Sequence, residues 1–363
     1  MTDQNKFEQL KIQLKEFLEA KCNLLKNKNI LVTGGSGLLG FEIITQLKLL
    51  KVNVISLQRH HSVECEELCV PQLLIDLQEA NNIQKLEILL KNESIDAVIH
   101  TASLVKMFAP YQLFYDANFK ATQNLIQACK TARVQYFIYT STPSVVFERS
   151  SLHGVDESQA YTKSRLSYYA YTKMLTEKMV LNENLASFKT LCLRPHLILG
   201  PRDKNIVPRL LKASDQNKLR IIGTGENLVD ISHVTNMAYA HLLALTNLSK
   251  ECAHHSPTLS GQAFFLGQGP VKLWEIINEI LVIHKRPIIT KKIPFKIVYG
   301  MAFILEYTYK FFNYLSSQNH EPSMTRFTTL QFSCSHTYNH QKSKDALGDY
   351  EIIPTDKIVH YLK

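Results

Sequence analysis

The sequence has no charge-free apolar run long enough to cross a membrane. A strongly apolar and aromatic stretch, Ile297 to Leu315, is interrupted by Glu306 and Lys310. A transmembrane helix needs about 20 consecutive apolar residues and tolerates few charges. The stretch therefore predicts an amphipathic helix that walls a lipid-sized pocket or rests on a membrane surface, with an ordinary core helix as the alternative.

Cysteine is sparse, and the seven cysteines follow no paired spacing. The sequence also shows no secretory segment at the N-terminus. Together these features predict reduced thiols and a cytoplasmic protein, with membrane association left open. His60, His61, Cys65 and Cys69 lie close together but lack the spacing of a metal-binding motif. We therefore expect a solvated loop there and no metal site.

Acidic residues are too few to balance the basic ones, and the formal net charge is +9. No nucleic-acid-binding motif accompanies this charge, and the basic residues are spread along the chain, so no nucleic-acid partner is expected. Phosphate-bearing cofactors and anionic lipid surfaces are simpler partners. The alternative is that lysine and arginine only keep the surface soluble.

The sequence does contain a glycine-rich turn between an apolar run and an amphipathic stretch. Thr33 to Gly40 reads TGGSGLLG, follows Asn29 to Val32, and precedes Phe41 to Leu50, where apolar residues recur at helical spacing. A strand, a glycine turn and a helix N-terminus in this order cradle a pyrophosphate. The residues predicted to form the cradle are Gly34, Gly35, Ser36, Gly37, Leu38 and Gly40.

The next strand, Val52 to Leu57, ends without an acidic residue. Gln58 and Arg59 follow it, and no Asp or Glu stands between Leu47 and Val63. An acid here holds the ribose 2′-hydroxyl of NAD, whereas an arginine suits a 2′-phosphate. We therefore predict NADPH, bound through Arg59; NAD, with Arg59 merely solvated, stays open as the alternative.

Strands and helices continue to alternate at short intervals, which predicts an α/β fold with a doubly wound parallel sheet. We expect the segment Ile75 to Leu77 to bring Asp76 and Leu77 near the adenine of the cofactor. Ala97 to Ser103 predicts a strand running out over the cofactor, with Thr101 and Ala102 beside it. Asn118 is expected to open a helix from Phe119 to Ala132, before the strand Tyr136 to Ser141.

Tyr169 to Lys173 reads YAYTK, which places a lysine one helical turn after a tyrosine on the same face. Reducing a ketone by hydride builds negative charge on its oxygen, so a proton donor and a fixed hydrogen-bond donor must reach it. Tyr169 suits the first role, and Lys173 is expected to lower its pKa. Tyr168 and Tyr171 lack a lysine at this spacing and are predicted to pack against the sheet.

These motifs resemble those of the extended short-chain dehydrogenases/reductases, from about Asn27 to the C-terminus. LRPH, GPRD, GTGENLVD and HVTN, which begin at Leu193, Gly200, Gly223 and His233, narrow the resemblance to the 3-beta-hydroxysteroid dehydrogenase/isomerase branch. Within that branch the stretches 139–145, 207–210 and 321–327 are most similar to 2-alkyl-3-oxoalkanoate reductases of bacterial long-chain olefin biosynthesis. Sterol-4-alpha-carboxylate 3-dehydrogenases are the next most similar.

The resemblance implies roles for individual residues. It selects Thr142 rather than Ser141 as the hydroxyl that binds the substrate oxygen. It also implies that Lys173 binds the ribose hydroxyls of the cofactor. It also implies a water relay at Asn118 and a cofactor contact at Pro195.

The resemblance further implies one compact unit and a homodimer. Residues 28–190 would form a Rossmann-type nucleotide-binding domain, to which 225–250 return. Residues 191–224 and 251–363 would form a smaller, interleaved substrate-binding region. Residues 1–27 predict an amphipathic helix that packs on its own domain, with a partner or membrane role as the alternative; its apolar positions are Phe7, Leu10, Leu14, Phe17, Leu18 and Leu25.

The predicted reaction is NADPH-dependent reduction of the 3-oxo group of a long-chain 2-alkyl-3-oxo acid, a step of lipid metabolism. Arg326 is a candidate to bind the substrate carboxylate, with a structural salt bridge as the alternative. Oxidation of a 3-beta-hydroxysteroid or a sterol-4-alpha-carboxylate stays open as a second activity. A nucleotide-sensing protein without turnover is the third alternative, although it would not need Thr142, Tyr169 and Lys173.

Overall fold

The structure is a computed structural model that describes residues 3–251, 259–316 and 320–362; the side chains of residues 3–7, Phe7 included, lie outside the description. The described strands are β1 (Asn29–Thr33), β2 (Asn53–Gln58), β3 (Gln72–Leu74), β4 (Ala97–His100), β5 (Tyr136–Thr140), β6 (Leu152–Val155), β7 (Lys189–Pro195), β8 (Ile198–Leu199), β9 (Ile221–Ile222), β10 (Leu228–Asp230), β11 (Ser232–His233), β12 (Gln262–Leu266), β13 (Pro270–Lys272), β14 (Lys292–Ile293) and β15 (His336–Tyr338).

The described helices are α1 (Asp3–Cys22), α2 (Leu38–Leu49), α3 (Val63–Glu67), α4 (Ile83–Asn92), α5 (Tyr111–Phe114), α6 (Ala121–Thr131), α7 (Tyr168–Asn182), α8 (Ile206–Asp215), α9 (Val234–Lys250), α10 (Leu273–Ile283), α11 (Phe295–Ser316), α12 (Arg326–Ser333) and α13 (Gln341–Leu347). Short 3₁₀ segments lie between some of them, and a π-helical segment, Tyr115–Lys120, joins α5 to α6.

Seven parallel strands form the central sheet in the order β12-β7-β5-β4-β1-β2-β3. The chain builds outward from β1 in one direction and then returns to build from β4 in the other. Ligands of open parallel sheets bind where the order reverses, beyond the carboxyl ends of the strands. The predicted doubly wound sheet is therefore confirmed, and it directs attention to the ends of β1 and β4.

Helices cover both faces of the sheet. On one face α2 and α9 pack together, and α1 lies on α9 through Leu14 and Leu18, which are buried in the same apolar core. On the other face α4 and α6 contribute Leu86 and Leu125 to a second core. The near-continuous apolar strands match a sheet that is covered on both sides.

Two sheet strands come from stretches predicted for the substrate-binding region. β7 runs to Pro195, past the expected boundary at residue 190, and β12 pairs with it in parallel from Gln262 to Leu266. The backbone ladder continues across both strands, so the sheet takes in more of the chain than the boundary allowed. The rest of the C-terminal part forms a four-stranded sheet in the order β13-β10-β15-β6 and two short strand pairs.

The sequence predicted that Asn118 opens the helix that follows it, but the structure differs. It lies inside the π-helical segment, and α6 begins only at Ala121. The Asn118 amide is engaged by a neighbouring loop, where Leu104 N donates to Asn118 Oδ1 at 2.7 Å. A π-turn inserts one extra residue into a helix and is often found at functional sites.

Helix α11 is long and apolar, yet few of its residues are buried. Of the 22 residues of α11, Val298, Ala302 and Glu306 are buried. The alternative of an ordinary core helix is therefore wrong, because most apolar side chains of α11 face solvent. Within the described part of the chain, no helix is long and apolar enough to span a bilayer.

Candidate active site

The glycine turn between β1 and α2 has the geometry of a phosphate cradle. Gly34 has φ +72°, and a Cβ there would lie 2.9 Å from the Ala102 backbone. A Cβ on Gly40 would lie 2.3 Å from the Gly34 carbonyl oxygen, so only glycine allows α2 to approach the turn. No described side chain caps the α2 N-terminus at Gly37, and its first turn holds no acid. These N–H groups and the helix dipole fit a pyrophosphate.

Threonine side chains join the ends of β1 and β4 beside this turn. Thr101 Oγ1 donates to Thr33 O at 2.7 Å, and Ala102 N donates to Thr33 Oγ1 at 3.1 Å. His100 lies between Thr33 and Thr122, with its ring nitrogens 2.6 and 2.9 Å from their hydroxyl oxygens. Burial lowers the pKa of His100 to about 3, so the ring is neutral. The contacts hold Thr101 and Ala102 against Gly34; their contact with the cofactor stays a prediction.

The end of β2 presents a free cation. Arg59 is exposed directly after the strand and pairs with no acid among the described residues. Further along, Asp76 is half-buried and accepts from Gln78 N at 2.9 Å. Leu77 points its side chain into the core, so only its backbone could contact a cofactor.

The loop after Arg59 differs from the expected solvated loop. Residues 63–67 form α3, and Cys65 is buried beneath the glycine turn, where a Cβ on Gly35 would lie 3.3 Å from its Sγ. His60, His61 and Cys69 are exposed. The described residues contain no group of three or more potential ligands placed to hold a metal ion.

A basic loop lies over the first turns of α2, and sequence reasoning missed it. Arg202 stacks on the Phe41 ring at 3.9 Å and pairs with Glu64 at 3.2 Å. Lys204 Nζ also contacts Glu64, at 2.9 Å. The hydrogen bonds from Lys204 and Ser62 hold the pKa of Glu64 at about 2. The GPRD motif that supplies Arg202 was noted only for its resemblance, although a cation beside a phosphate cradle was a usable signal.

Helix α7 places Tyr169, Lys173 and Glu177 on one face at spacings of four residues. The helix begins at Ser167, whose Oγ accepts from Ala170 N at 3.2 Å. Burial raises the pKa of Tyr169 to about 12, although hydrogen bonding by Thr142 and Ser103 opposes the rise. Tyr169 is therefore a neutral phenol at pH 7, with a proton to donate.

Lys173 is buried beside Tyr169. Its Nζ donates to Thr140 O at 2.6 Å and lies 4.1 Å from the centroid of the Tyr139 ring. Burial lowers the pKa of Lys173 to about 7. The expectation that Lys173 lowers the pKa of Tyr169 is not met, because removing the phenol from water outweighs the other effects and raises its pKa.

Thr142 follows β5 at the point where the sheet meets α7. Its Oγ1 accepts from Ser144 N at 3.3 Å and caps a short 3₁₀ turn, which fixes the side chain beside Tyr169. Ser141 N donates to Leu193 O at 2.6 Å, whereas its buried hydroxyl has no partner in the described part of the structure. Thr142 is thus the residue of this pair that hydrogen-bonds Tyr169.

Asn118 holds the loop that carries Ser103. Its Oδ1 accepts from Leu104 N at 2.7 Å and from Ser103 Oγ at 3.1 Å, and its Nδ2 donates to Thr172 Oγ1 at 3.3 Å. Ser103, which sequence reasoning missed, thereby reaches Tyr169 from the end of β4. A hydroxyl just beyond the carboxyl end of a parallel strand was the signal that could have identified it.

A buried ion pair anchors α7 to β7, and it too was missed. Arg194 Nη2 donates to Glu177 Oε1 at 2.6 Å, its Nε lies 3.1 Å from Glu177 Oε2, and Tyr161 also donates to Glu177. Both charged side chains are at most 2 % exposed. Because Glu177 lies one turn beyond Lys173, this pair fixes the rotation of the helix that carries Tyr169.

Two expectations about surrounding residues are corrected. Tyr168 packs on Tyr111 of α5, with ring centroids 5.6 Å apart, and not against the sheet. Tyr171 also packs on Tyr111, at 6.3 Å, but it contacts a buried cluster that includes Phe265 of β12, as expected. Arg326 Nε and Nη2 both bind the buried Glu306 carboxylate, at 2.8 and 2.7 Å. Arg326 therefore forms the structural salt bridge that was the alternative to binding a substrate carboxylate.

The fold agrees with what comparison with known proteins finds. The model of the 3-beta hydroxysteroid dehydrogenase/isomerase family matches residues 31–292. The chain belongs to this family. It is 33 % identical over 346 residues to a 2-alkyl-3-oxoalkanoate reductase of Shewanella oneidensis, with 93 % of this chain and 86 % of the relative covered. It is 32 % identical to a decarboxylating sterol-4-alpha-carboxylate 3-dehydrogenase of Mus musculus, with 93 % and 90 % covered.

Solved structures share the fold. One is gox2253, with a TM-score of 0.72 and 23 % identity over 93 % of this chain and 97 % of that one. Another is MoeE5 in complex with UDP-glucose and NAD, with a TM-score of 0.66 and 21 % identity over 92 % and 97 %. The chain is an NAD(P)-dependent oxidoreductase of the extended short-chain type that acts on a small-molecule substrate.

Proposed function

We propose that the chain reduces the 3-oxo group of a long-chain 2-alkyl-3-oxo acid, using NADPH as the reductant. The observation that carries the proposal is the cluster of Tyr169, Thr142 and Ser103 at the ends of β4 and β5, beside the glycine turn. The two 2-alkyl-3-oxoalkanoate reductases among its relatives, each 33 % identical, support the substrate class.

The residues present fit nicotinamide adenine dinucleotide phosphate, NADPH. Gly34, Gly37 and Gly40 leave room for the pyrophosphate against the α2 N-terminus. Arg59 would bind the 2′-phosphate, with Asp76 and Leu77 beside the adenine and Pro195 at the end of β7 toward the nicotinamide. Lys173 would hold the ribose hydroxyls after leaving Thr140 O. The bound nicotinamide supplies the hydride.

The protein's own part in the reaction is to hold the substrate oxygen and give it a proton. Thr142 donates a hydrogen bond to the oxygen as it gains negative charge, and Tyr169 transfers its phenolic proton to it. The proton stays on the product hydroxyl, and Lys173 with a water relay ending at Asn118 would deliver another proton from solvent to the Tyr169 phenolate. With its pKa near 12, Tyr169 stays protonated until the developing alkoxide accepts the proton.

An assay of paired substrates and cofactors tests this function. We expect NADPH-dependent reduction of 2-alkyl-3-oxo acids, with kcat/KM rising about fourfold for each methylene that is buried, and no turnover of a nucleotide-sugar. Arg59→Asp should lower the preference for NADPH over NADH by about tenfold or more, because a charge-assisted hydrogen bond is lost. A flat response to chain length would contradict the substrate, and equal use of both cofactors by the unchanged protein would contradict the role of Arg59.

Oxidation of a sterol-4-alpha-carboxylate is the second candidate. The mouse sterol-4-alpha-carboxylate 3-dehydrogenase covers as much of this chain as the bacterial reductase and is almost as similar. The same Tyr169 and Lys173 would then remove a proton from a 3-hydroxyl group. Faster oxidation of a 3-beta-hydroxysteroid than reduction of any 2-alkyl-3-oxo acid would favour this candidate.

A further inference from the structure

Two buried histidines contact each other at the end of β7. His196 directly follows the strand, and its Nε2 lies 2.7 Å from Nδ1 of His336 on β15. His196 is 7 % exposed and His336 is 3 % exposed. The reaction described above uses neither ring.

The histidine pair lies at the same edge of the sheet as the reacting groups. Strands β5 and β7 are neighbours and run in parallel, so Thr142 and His196 follow adjacent strands at their carboxyl ends. Phe147, in the loop that starts at Thr142, packs edge-on against the His336 ring, with centroids 5.7 Å apart. Ligands of open parallel sheets bind beyond this edge. His196 therefore borders the space in which a substrate would lie.

The hydrogen bonds of the pair determine which nitrogen of each ring carries the proton. His336 Nε2 lies 2.9 Å from the Gln331 carbonyl oxygen, which can only accept, so this nitrogen is protonated. Burial lowers the pKa of both histidines, so each neutral ring holds one proton. His336 Nδ1 is therefore an acceptor, and His196 Nε2 donates to it. This leaves His196 Nδ1 without a proton.

His196 Nδ1 is an acceptor that lacks a donor within the described part of the chain. The one hydrogen bond of the ring is made by the other nitrogen. Nδ1 is also not among the polar side-chain atoms that the described structure encloses without a partner. The nitrogen is therefore open to a ligand. A carboxylate oxygen can bind there only if one proton lies between the two atoms.

The substrate of the proposed function has a carboxylate that needs such a partner. In both candidate substrates the acid group stands on the carbon next to the one that reacts, so it lies close to the oxygen that Thr142 would bind. Two cations near the site are already paired. Arg326 binds Glu306, and Arg194, two residues before His196, binds Glu177.

The groups around the pair allow His196 to become charged when an anion arrives. Asp230 is fully buried and favours a proton on His336. Its Oδ2 also lies 3.1 Å from Nε2 of His340, the other basic side chain that faces His196. Tyr338 packs on His196 at 5.5 Å and is a neutral phenol, because burial raises its pKa. In surroundings that exclude water, an imidazolium and a carboxylate attract each other strongly.

We propose that His196 binds the substrate carboxylate and that this binding takes up one proton from solvent, held between Nδ1 and a carboxylate oxygen. The proposal rests on the proposed function, because it concerns the acid group of that substrate. His196 is then a specificity residue, and His336 positions it through its bond to Gln331 O. The proton is separate from the one that Tyr169 transfers, and it is released when the product acid leaves.

Calorimetry of a complex that cannot react measures this proton. The protein saturated with NADPH is titrated with a 2-alkyl-3-hydroxy acid, in buffers of different ionisation enthalpy. At about pH 8, where the free ring is neutral, we expect an uptake of about one proton per acid bound. Because binding takes up a proton, affinity should fall by about tenfold for each unit of rising pH. The methyl ester of the same acid should show neither effect, and it corrects for proton changes at Lys173.

His196→Gln separates binding of the acid from support of the fold. Its amide can still donate to His336 Nδ1, but it has no group that takes up a proton. KM for a 2-alkyl-3-oxo acid should rise by at least about tenfold, because a charge-assisted hydrogen bond is lost, while kcat changes little and the proton uptake disappears. His284→Gln is the matched control, since the His284 ring bonds Ile280 O within α10. It should leave both quantities unchanged.

The proposal is overturned if the acid binds without proton uptake, if the methyl ester takes up as many protons, or if His196→Gln keeps the uptake. A loss of kcat in His196→Gln with unchanged KM would also overturn it, because a purely structural role predicts that result. If His196→Gln does not fold, calorimetry of the unchanged protein decides alone.

The proposed function and this inference fail in different ways. If the oxo acid is reduced but binding takes up no proton, the reductase function stands and the role of His196 is wrong. If the hydroxy acid binds with proton uptake but no oxo acid is reduced, the role of His196 stands and the reductase function is wrong. An acid that does not bind overturns both.

Discussion

Helices α7 and α11 depart in opposite directions from the usual arrangement, in which apolar side chains are buried and charged side chains are exposed. In α7, Lys173 and Glu177 are almost fully buried, whereas in α11 residues such as Ile304 and Phe311 are exposed. Burial of charge and exposure of apolar surface both cost free energy, so neither persists without a compensating role. In α7 the compensation lies inside the molecule, in partners such as Arg194 and Thr140 O. In α11 no described part of the chain covers the exposed apolar side chains.

The largest expected effect concerns the buried side of this comparison. Tyr169→Phe removes the proton donor and should lower kcat by roughly 10²- to 10⁴-fold, with NADPH affinity nearly unchanged. Steady-state kinetics and cofactor titration measure the two effects. Tyr168→Phe is the control, because Tyr168 packs on Tyr111 outside the cluster. A larger loss in the control would place the proton donor elsewhere.

Glu177→Gln should lower the free energy of unfolding by about 3–5 kcal/mol, because it leaves the Arg194 guanidinium buried without its counter-charge. Chemical denaturation measures this change. Glu183→Gln, at the end of the same helix, breaks only the exposed pair with Lys130 and should cost less than about 1 kcal/mol. Equal effects of the two substitutions would show that burial of the pair does not matter.

Lys173 makes stability depend on pH in a defined direction. Its pKa is about 7 in the folded chain, whereas an unfolded chain has a lysine pKa of about 10.4. Between these values the unfolded state binds more protons, so stability rises with pH by about 1.4 kcal/mol per unit from this group. Lys173→Met removes that gain. Above pH 7 the melting temperature of the unchanged protein should therefore rise relative to that of the variant. The same pH dependence of both melting temperatures would contradict the low pKa.

The smallest expected effect belongs to the exposed side. Ile304→Glu with Phe311→Glu should change the free energy of unfolding by no more than about 0.5 kcal/mol, because both side chains already face solvent. Met174→Ala on α7 is the contrasting variant and should cost about 2–5 kcal/mol by leaving a cavity. Strong destabilisation by the glutamates would mean that Ile304 and Phe311 are held by the protein itself.

Features with local signals were predictable from the sequence. The run Asn29 to Val32 and the glycines after it specify a strand and a turn through short-range rules, and both lie where expected. The spacing of Tyr169 and Lys173 needed only the helical period. The parallel sheet followed from the repeated alternation of such units, and family membership confirmed the resemblance that these motifs carried.

Features that depend on distant parts of the chain were not predictable. The pairing of Arg326 with Glu306 and of Arg194 with Glu177 joins residues 20 and 17 positions apart on different elements. The pKa of Tyr169 was expected to fall because only Lys173 was considered, whereas burial by the whole fold sets it. The homodimer, the cytoplasmic location and the role in olefin biosynthesis stay predictions.

The packing of α1 on α9 has a consequence for how the chain folds during synthesis. Leu14 and Leu18 leave the ribosome long before the α9 surface that buries them, which begins at Val234. At about 5–20 residues per second, a ribosome needs on the order of ten seconds or more to translate the intervening chain. Throughout that interval α1 carries an apolar stripe without its native partner. A nascent chain of this protein is therefore expected to need a chaperone that shields α1, long before its active site exists.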